Sequence, residues 1–396
     1  MIVVGARCAG SPTAMLLAQR GYRVLLVDKA TFPSDTMSTH YIHQTGTSRL
    51  ATWGLLDEVI ATGVPPIGEM SLDFGPVVLR GTAPAYEGER RAIAPRRIAL
   101  DSVLLRAAVR AGVEFRDQFT VDELLWDGDR VIGVRGHARG MSSVEERASI
   151  VVGADGQHSL VAKLTGAATY NEVPAQSCAY YAYWRGYPID FAELYIRPEQ
   201  TLISAPTNDG NALVINYWPV DQFQTVRKDI EGHFDKALDT APDLAERVRS
   251  GQQVERFRGT SDLRNFFRKP YGPGWALVGD AGYHKDPITA QGISDAFRDA
   301  ELLALAIDDG CSGKQPLDDA LAAYEQTRNE SAFPMFQITC DMARLQPPSP
   351  EQEALIAALP GNQEQIDRFI GTVAGTYPIE AFFAPENMAQ IFGPTG

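Results

Sequence analysis

The chain has 396 residues, 44% apolar and 22% charged, enough core-forming sequence for two domains or one large α/β domain with an inserted layer. A formal net charge of -14 disfavours roles that depend on counterion release from nucleic acid or on attraction to anionic lipid. Four scattered cysteines (Cys8, Cys178, Cys311, Cys340) make no CxxC pair and no zinc spacing, and no apolar run reaches the ~18 residues of a membrane span; a cytoplasmic protein without a metal site is expected.

Ile2, Val3 and Val4 form an apolar run suited to a buried parallel strand, and no leader segment is expected ahead of it. Gly5-Ala6-Arg7-Cys8-Ala9-Gly10 follows, filling the spacing of GxGxxG but placing Arg7 where the middle glycine belongs. Gly5 and Gly10 supply the tight turn and the close helix–strand approach, and with Ala9 they are the loop's candidate ligand contacts. Arg7 either widens the loop or reaches for phosphate or a protein acid. Cys8 reads as a small buried residue rather than a redox thiol. A helix over 11–20 carries Pro12 in its first turn and stops at Gly21. The next strand, 24–27, closes on Asp28, 18 residues after Gly10, a spacing that suits a carboxylate on the ribose of an adenosine. Lys29 beside it joins the candidate set. The plainer alternative is a strand–turn–helix with a surface acid.

A loop over 31–45 carries His40 and His43, either of which could bond a ligand or stay structural. Helical patterning is expected over 47–61 and again over 99–111, with loop-rich sequence at 65–66 and 81–91 between them. Three β-rich runs (113–119, 121–126, 131–136) lead to a strand over 148–152 and a second glycine segment, Val151-Val152-Gly153-Ala154-Asp155-Gly156. Residues 174–254 change character. An aromatic alternating run, 178–184, precedes two runs, 202–205 and 213–218, joined through Asn208-Asp209-Gly210, which is hairpin chemistry and predicts an antiparallel sheet. Alternation puts Tyr181 and Tyr183 on one face and Tyr180 and Trp184 on the other. A helical stretch is expected over 220–249. A strand at 275–278 then enters a third glycine segment, Gly279-Asp280-Ala281-Gly282, and a helix from about 293 to 308. The remainder, 316–396, reads as largely helical, broken at Pro347-Pro348.

In this order the three segments resemble those of the FAD-dependent monooxygenase superfamily of the para-hydroxybenzoate hydroxylase, geranylgeranyl reductase and flavin-dependent halogenase type, over roughly residues 2–330. Gly279-Asp280-Ala281-Gly282-Tyr283-His284-Lys285-Asp286-Pro287-Ile288-Thr289-Ala290-Gln291-Gly292-Ile293 is similar to that family's GDAxH…P…G. The resemblance implies Asp280 on the ribityl hydroxyls, Pro287 against the isoalloxazine edge, and the N–H groups of Gly292 and Ile293 at flavin N1/O2, where a helix N-terminus favours the negative charge of reduced flavin. Tyr283 stands where histidine is commoner, His284 follows one position later, and Thr289 replaces a usual glycine. Gly153-Ala154-Asp155-Gly156 resembles the family's GADG element, which implies that Asp155 contacts flavin and nicotinamide indirectly; a simple Asp-Gly turn is the alternative. Arg97-Ile98-Ala99-Leu100-Asp101 matches R-x-x-L-D, which implies Arg97 on the cofactor phosphates; a first-turn arginine beside Asp101 is the alternative.

The fold class expected is α/β: a Rossmann-like FAD-binding domain of glutathione-reductase type (1–75, 95–172 and 255–330), an inserted antiparallel-sheet substrate domain (76–94 and 173–254) and a C-terminal helical region (331–396). The reaction implied first is monooxygenation, hydroxylating or epoxidising an apolar or aromatic small molecule of secondary metabolism through a flavin C4a-hydroperoxide. Ene-reduction of the geranylgeranyl reductase type is the alternative. Halogenation ranks lower, because the nearest run to its WxWxIP element, Tyr183-Trp184-Arg185-Gly186-Tyr187-Pro188, lacks that pattern. A non-catalytic flavin-binding scaffold ranks lower too. Electrons would come from NAD(P)H or from a partner flavin reductase, and no catalytic acid or base is assigned.

Overall fold

A computed structural model describes residues 1–393. Its six-stranded sheet runs in the order Tyr271–Gly272, Trp275–Leu277, Val151–Gly153, Ile2–Val4, Leu25–Val27, Glu114–Arg116. All its pairings are parallel except that of Tyr271–Gly272 with Trp275–Leu277. These strands are short and apolar on both faces because both faces are covered. Val3, Leu26, Val152 and Ala276 point into a core shared with the helices Gly10–Gln19, Arg97–Arg110 and Gly292–Cys311. Their neighbours Ile2, Val4, Leu25, Val27, Val151 and Leu277 point the other way, against the strands Phe119–Asp127 and Arg130–Ala138 and the helix Leu160–Thr165.

The eight-stranded sheet runs Gln252–Gln253, Ser177–Arg185, Asn211–Pro219, Gln200–Pro206, Ala192–Arg197, Met70–Asp73, Val78–Gly81, with Arg258–Thr260 also on Ser177–Arg185. The hairpin Gln200–Pro206/Asn211–Pro219 closes through Asn208–Gly210, where Asp209 takes φ 63°. The expected division of faces holds. Tyr180, Trp184 and Trp218 pack beneath the helices Ile230–Leu238 and Pro242–Ser250, with Trp184 stacked on Phe234 at 5.6 Å. Tyr181, Tyr183 and Tyr217 occupy the opposite face.

Several expectations are corrected. The helix expected over 220–249 is three helices, Phe223–Lys228, Ile230–Leu238 and Pro242–Ser250. Asp229 leaves helical geometry to cap Gly232, and Pro242 forces Ala241 to φ -137°, ψ 74°. The helix expected over 47–61 is Gln44–Thr52 and Leu56–Ile60, parted at Gly54 with φ 71°. Ala192–Arg197 was not foreseen as a strand. Its parallel partner Met70–Asp73 belongs by hydrogen bonding to the antiparallel sheet although it precedes the boundary at 75, and Arg258–Thr260 does so although it follows 254. The helix Leu317–Met342 runs through the boundary at 330/331. Beyond it Pro350–Ala358, Gln363–Ala374, Ile379–Phe382 and Pro385–Phe392 form a helical region, and Leu355, Ile366, Ile370 and Phe382 pack on Met70, Leu72 and Leu79 at the far end of the eight-stranded sheet. Among the described residues no helix is long and apolar enough to cross a membrane.

Candidate functional site

Strand order puts the three glycine segments side by side, because Val151–Gly153 lies between Ile2–Val4 and Trp275–Leu277. The loops after them touch. A Cβ on Gly5 (φ 105°) would lie 2.4 Å from the Ala154 carbonyl oxygen, one on Gly10 1.7 Å from the Gly5 carbonyl oxygen, and one on Gly279 (φ 59°) 2.7 Å from the Ala9 Cβ. Only glycine permits this closure. The loops border a cavity of about 920 Å³ that Gly5, Ala9, Asp28, Lys29, Arg97, Asp155, Asp280, Pro287, Gly292 and Ile293 all line. Gly10 alone of the candidate set does not line it; it is the contact that seats the first helix on the strand.

At the Asp28 end, the carboxylate accepts the N–H groups of Ala6 (2.7 Å) and Ala30 (2.8 Å) and so fixes the first loop. Arg7 folds onto protein groups: its guanidinium donates to the Asp101 carboxylate at 2.6 Å and to Ser34 Oγ at 3.1 Å. Arg97 donates to the same carboxylate at 3.1 and 3.2 Å, and the Cys8 thiol does so at 3.3 Å. Burial pushes that thiol far up, which makes it an inert donor. Two guanidiniums on one buried carboxylate leave a positive charge at the cavity wall. Here the helices Gly10–Gln19 and Arg97–Arg110 both start with no acidic residue in the first turn and no side-chain cap, an arrangement suited to an anion.

Asp155 is committed to its own turn. Its two oxygens accept from Ser159 Oγ (2.5 Å) and from the N–H groups of Leu160 (2.7 Å) and Val161 (3.3 Å), while burial raises its pKa. Asp280 differs. It is exposed to the cavity and makes no hydrogen bond among the described residues, which leaves both oxygens free for a ligand's hydroxyls. Beyond it, Pro287–Thr289 forms a 3₁₀ turn and Ala290 takes φ 53°. The helix Gly292–Cys311 closes its first hydrogen bond only at Asp295 N–H to Gln291 O (2.9 Å), so the N–H groups of Gly292 and Ile293 remain as donors.

The histidines of the loop tie the walls together. His40 Nε2 meets Tyr183 Oη at 2.5 Å, and His43 Nε2–H donates to the Thr289 carbonyl at 3.1 Å. Burial pulls their pKa values to about 3 and about 4, so both are neutral at pH 7 and neither is poised as an acid or base there. Arg96 lies 4.1 Å over the Tyr183 ring and pairs with Asp35 (2.7 Å) and Glu255 (2.8 Å), holding the same loop to the sheet. Tyr283 stacks on Phe267 at 4.6 Å and also lines the cavity, and Thr289 Oγ1 bonds Thr339 Oγ1 at 2.8 Å.

Opposite the loops, the cavity is lined by Ala179, Tyr181, Ile215 and Tyr217 of the eight-stranded sheet and by Leu263. The Tyr217 hydroxyl is buried with no hydrogen-bond partner among the described residues. Sequence reasoning named these strands but did not place Ile215 or Leu263 at the site. It also passed over Lys285, buried and lining the cavity, although Lys285 stands inside the third motif two residues before Pro287. Among the described residues no group of three or more His, Cys, Asp or Glu could hold a metal ion.

A dinucleotide cradle of three touching loops, with one unengaged carboxylate and free helix N–H groups, fits FAD and defines a flavin-binding oxidoreductase of mixed α/β fold. The chain belongs to the family described as FAD binding domain, whose profile matches residues 1–339. It is 24% identical over 334 residues to a 1H-pyrrole-2-carbonyl-[peptidyl-carrier protein] brominase of Pseudoalteromonas luteoviolacea (79% of this chain, 78% of the relative). It is 26% identical over 348 residues to a digeranylgeranylglycerophospholipid reductase of Methanothrix thermoacetophila (84% and 83%). With a kynurenine 3-monooxygenase of Cytophaga hutchinsonii it shares 25% over 365 residues (83% and 77%). Its fold matches that of the flavin-dependent brominase Bmp2 with a TM-score of 0.82 at 19% identity, covering 99% of this chain and 97% of that one. Halogenases, reductases and monooxygenases thus all stand among the relatives, and the low rank of halogenation in the sequence reading finds no support in them. The protein is an FAD-dependent oxidoreductase.

Proposed function

We propose that one FAD lies along the cavity from Asp28 to Ile293. Asp28, with Lys29 beside it, meets the adenosine ribose; the Gly5–Gly10 loop and Arg97 meet the pyrophosphate; Asp280 meets the ribityl chain; Pro287 and the N–H groups of Gly292 and Ile293 meet the flavin ring. Asp155 shapes the loop rather than bonding the cofactor. Residues 1–75, 95–172 and 255–330 then serve the cofactor. Residues 76–94 and 173–254 serve the substrate, joined by Met70–Asp73 and Arg258–Thr260, and of the C-terminal region 331–396 the described residues, to 393, buttress the sheet.

The reaction that this arrangement favours is monooxygenation of a small apolar or aromatic molecule. The observation that carries it is the single cavity that the sheet residues Ala179, Tyr181, Ile215 and Tyr217 share with Pro287. An apolar, aromatic wall excludes water and orients a planar substrate by its faces. Bound and reduced, FAD supplies the electrons with which oxygen is activated; NAD(P)H or a partner flavin reductase is the proposed source. Halogenation is the second reading, supported by the brominase relative and by a buried lysine, Lys285, on the cavity wall. Against it, Trp184 of the nearest aromatic-to-proline run faces away from the cavity, under Phe234. Ene-reduction is the third, supported by the reductase relative. Product mass from aromatic and prenyl substrates, with bromide or chloride present, separates them. A gain of one oxygen supports monooxygenation, a halogen isotope pattern replaces it with halogenation, and a gain of two hydrogens without oxygen replaces it with reduction.

A further inference from the structure

Under the first turns of the helix Gly292–Cys311 lies a buried group of charges in contact with the cavity. Lys285 is 7% exposed, and its ammonium donates to Tyr283 Oη at 2.7 Å and to the Asp295 carboxylate. Asp295 also accepts from Arg298 Nη1 at 2.8 Å, and Arg298 holds one oxygen of Asp299 at 3.0 and 2.8 Å. The other Asp299 oxygen is buried without a partner among the described residues. Behind them Arg328, also buried, donates to the Gly282 carbonyl (3.0 Å) and to Tyr170 Oη (2.9 Å), and makes no ion pair among the described residues. Arg49 is answered by Glu301 at 2.9 Å. Arg298 thus bridges the two carboxylates, and Lys285 is bonded to one of them.

Lys285 is the one cation of this group that reaches the cavity. Lys285, Asp295 and Asp299 line the same cavity as Pro287, Gly292 and Ile293, whereas Arg298 and Arg328 do not. Burial would raise Asp295, but Lys285 and Arg298 outweigh it and hold its carboxyl below the usual range, while burial draws the Lys285 ammonium below its usual value and Asp295 opposes that; the hydrogen-bonded contact of the two favours the charged pair. Inside a protein a charge acts through an effective dielectric well below that of water, and a net unit charge shifts a neighbouring ionisation or reduction measurably.

We propose that Lys285, aimed by Asp295, sets the reduction equilibrium of the bound flavin by adding positive charge where Gly292 and Ile293 already offer N–H dipoles. This rests on the cofactor placement proposed above. Lys285 acts here through its charge rather than as a catalytic group. It favours the reduced cofactor, whose pyrimidine edge is negative, over the oxidised one.

The test is the two-electron midpoint potential of the FAD-loaded enzyme and of Lys285→Met, Lys285→Arg and Asp295→Asn, each with its FAD content measured. Lys285→Met is expected to lower the reduction equilibrium about tenfold, ~30 mV for a two-electron couple. Asp295→Asn, which adds a unit of positive charge, is expected to raise it by a similar factor, and Lys285→Arg to stay within about threefold of the parent. Both neutralising changes break the same buried ion pair, so structural damage alone would move them in one direction. Opposite shifts support the proposal. Shifts of the same sign, or none beyond about twofold, overturn it. Should Lys285→Met lose its FAD, Asp295→Asn decides: a rise in the reduction equilibrium supports the proposal, and a fall or no shift beyond about twofold overturns it. A parent protein that takes up no FAD refutes the cofactor placement instead, and that is read before any potential is measured.

Discussion

On the loop wall of the cavity, function is built from backbone: Gly5, Gly10 and Gly279 are set by contacts of 2.4, 1.7 and 2.7 Å that any Cβ would occupy. On the sheet wall it is built from side chains whose alternation sends Tyr181 and Tyr217 to the cavity and Tyr180 and Trp218 into a core. The loop wall has almost no freedom to vary, since the turn that binds is also the turn that folds. The sheet wall can exchange one aromatic for another with the strand pairing intact. A scaffold of this kind can keep one cofactor while its substrates diverge, which is what brominase, reductase and monooxygenase relatives at 24–26% identity illustrate.

The largest expected effect falls on the loop that joins the walls. His40 and His43 are buried and neutral when folded, with pKa values near 3 and 4 against 6.5 unfolded. Their folded pKa values are depressed, so the unfolded chain binds more protons between those limits and stability falls as pH drops through 6.5 toward 4. From pH 6.5 to 5 the loss is ~2 kcal/mol for each histidine, read by urea unfolding across pH. A flat profile would mean that the walls are not tied through neutral imidazoles. Next, Asp101→Ala strands the Arg7 and Arg97 guanidiniums and is expected to cost ~3 kcal/mol of stability, measured by the same unfolding. Gly10→Ala should cost ~2–3 kcal/mol, because the Gly5 carbonyl cannot move without opening the loop. Asp280→Ala is expected to leave stability within ~0.5 kcal/mol yet weaken FAD ~10-fold, since the carboxylate bonds nothing else. The smallest effect is on the sheet wall: Tyr217→Phe removes an unpaired buried hydroxyl and should raise the melting free energy by up to ~1 kcal/mol, with FAD affinity unchanged. Loss of FAD in Tyr217→Phe would erase the division between the walls.

The loop wall was legible in the sequence because its requirements are steric and local. Gly5 and Asp28 could be named from spacing, Asp280 and Pro287 from the family resemblance, and all line the cavity. Arg7 was legible as an irregularity but not as a bracket, since its partners Ser34 and Asp101 lie 27 and 94 residues away. Periodicity separated the two faces of Ser177–Arg185 but could not show which face meets the ligand; the helices Ile230–Leu238 and Pro242–Ser250 decide that by covering Trp184 and Trp218. The strand Ala192–Arg197 was missed although it forms a local hairpin with Gln200–Pro206, and no local pattern could show its parallel pairing with Met70–Asp73 across more than a hundred residues. Lys285 escaped notice for a related reason: its partner Asp295 sits on the next helix, and only the fold makes the pair a buried one.

The most direct test of the two-wall account is a flavin-fluorescence titration of the parent, Asp280→Ala and Tyr217→Phe proteins with FAD, side by side. The account predicts one FAD per parent chain, an affinity ~10-fold weaker in Asp280→Ala, and no change in Tyr217→Phe. Equal affinity in the parent and Asp280→Ala, or a loss confined to Tyr217→Phe, would contradict it.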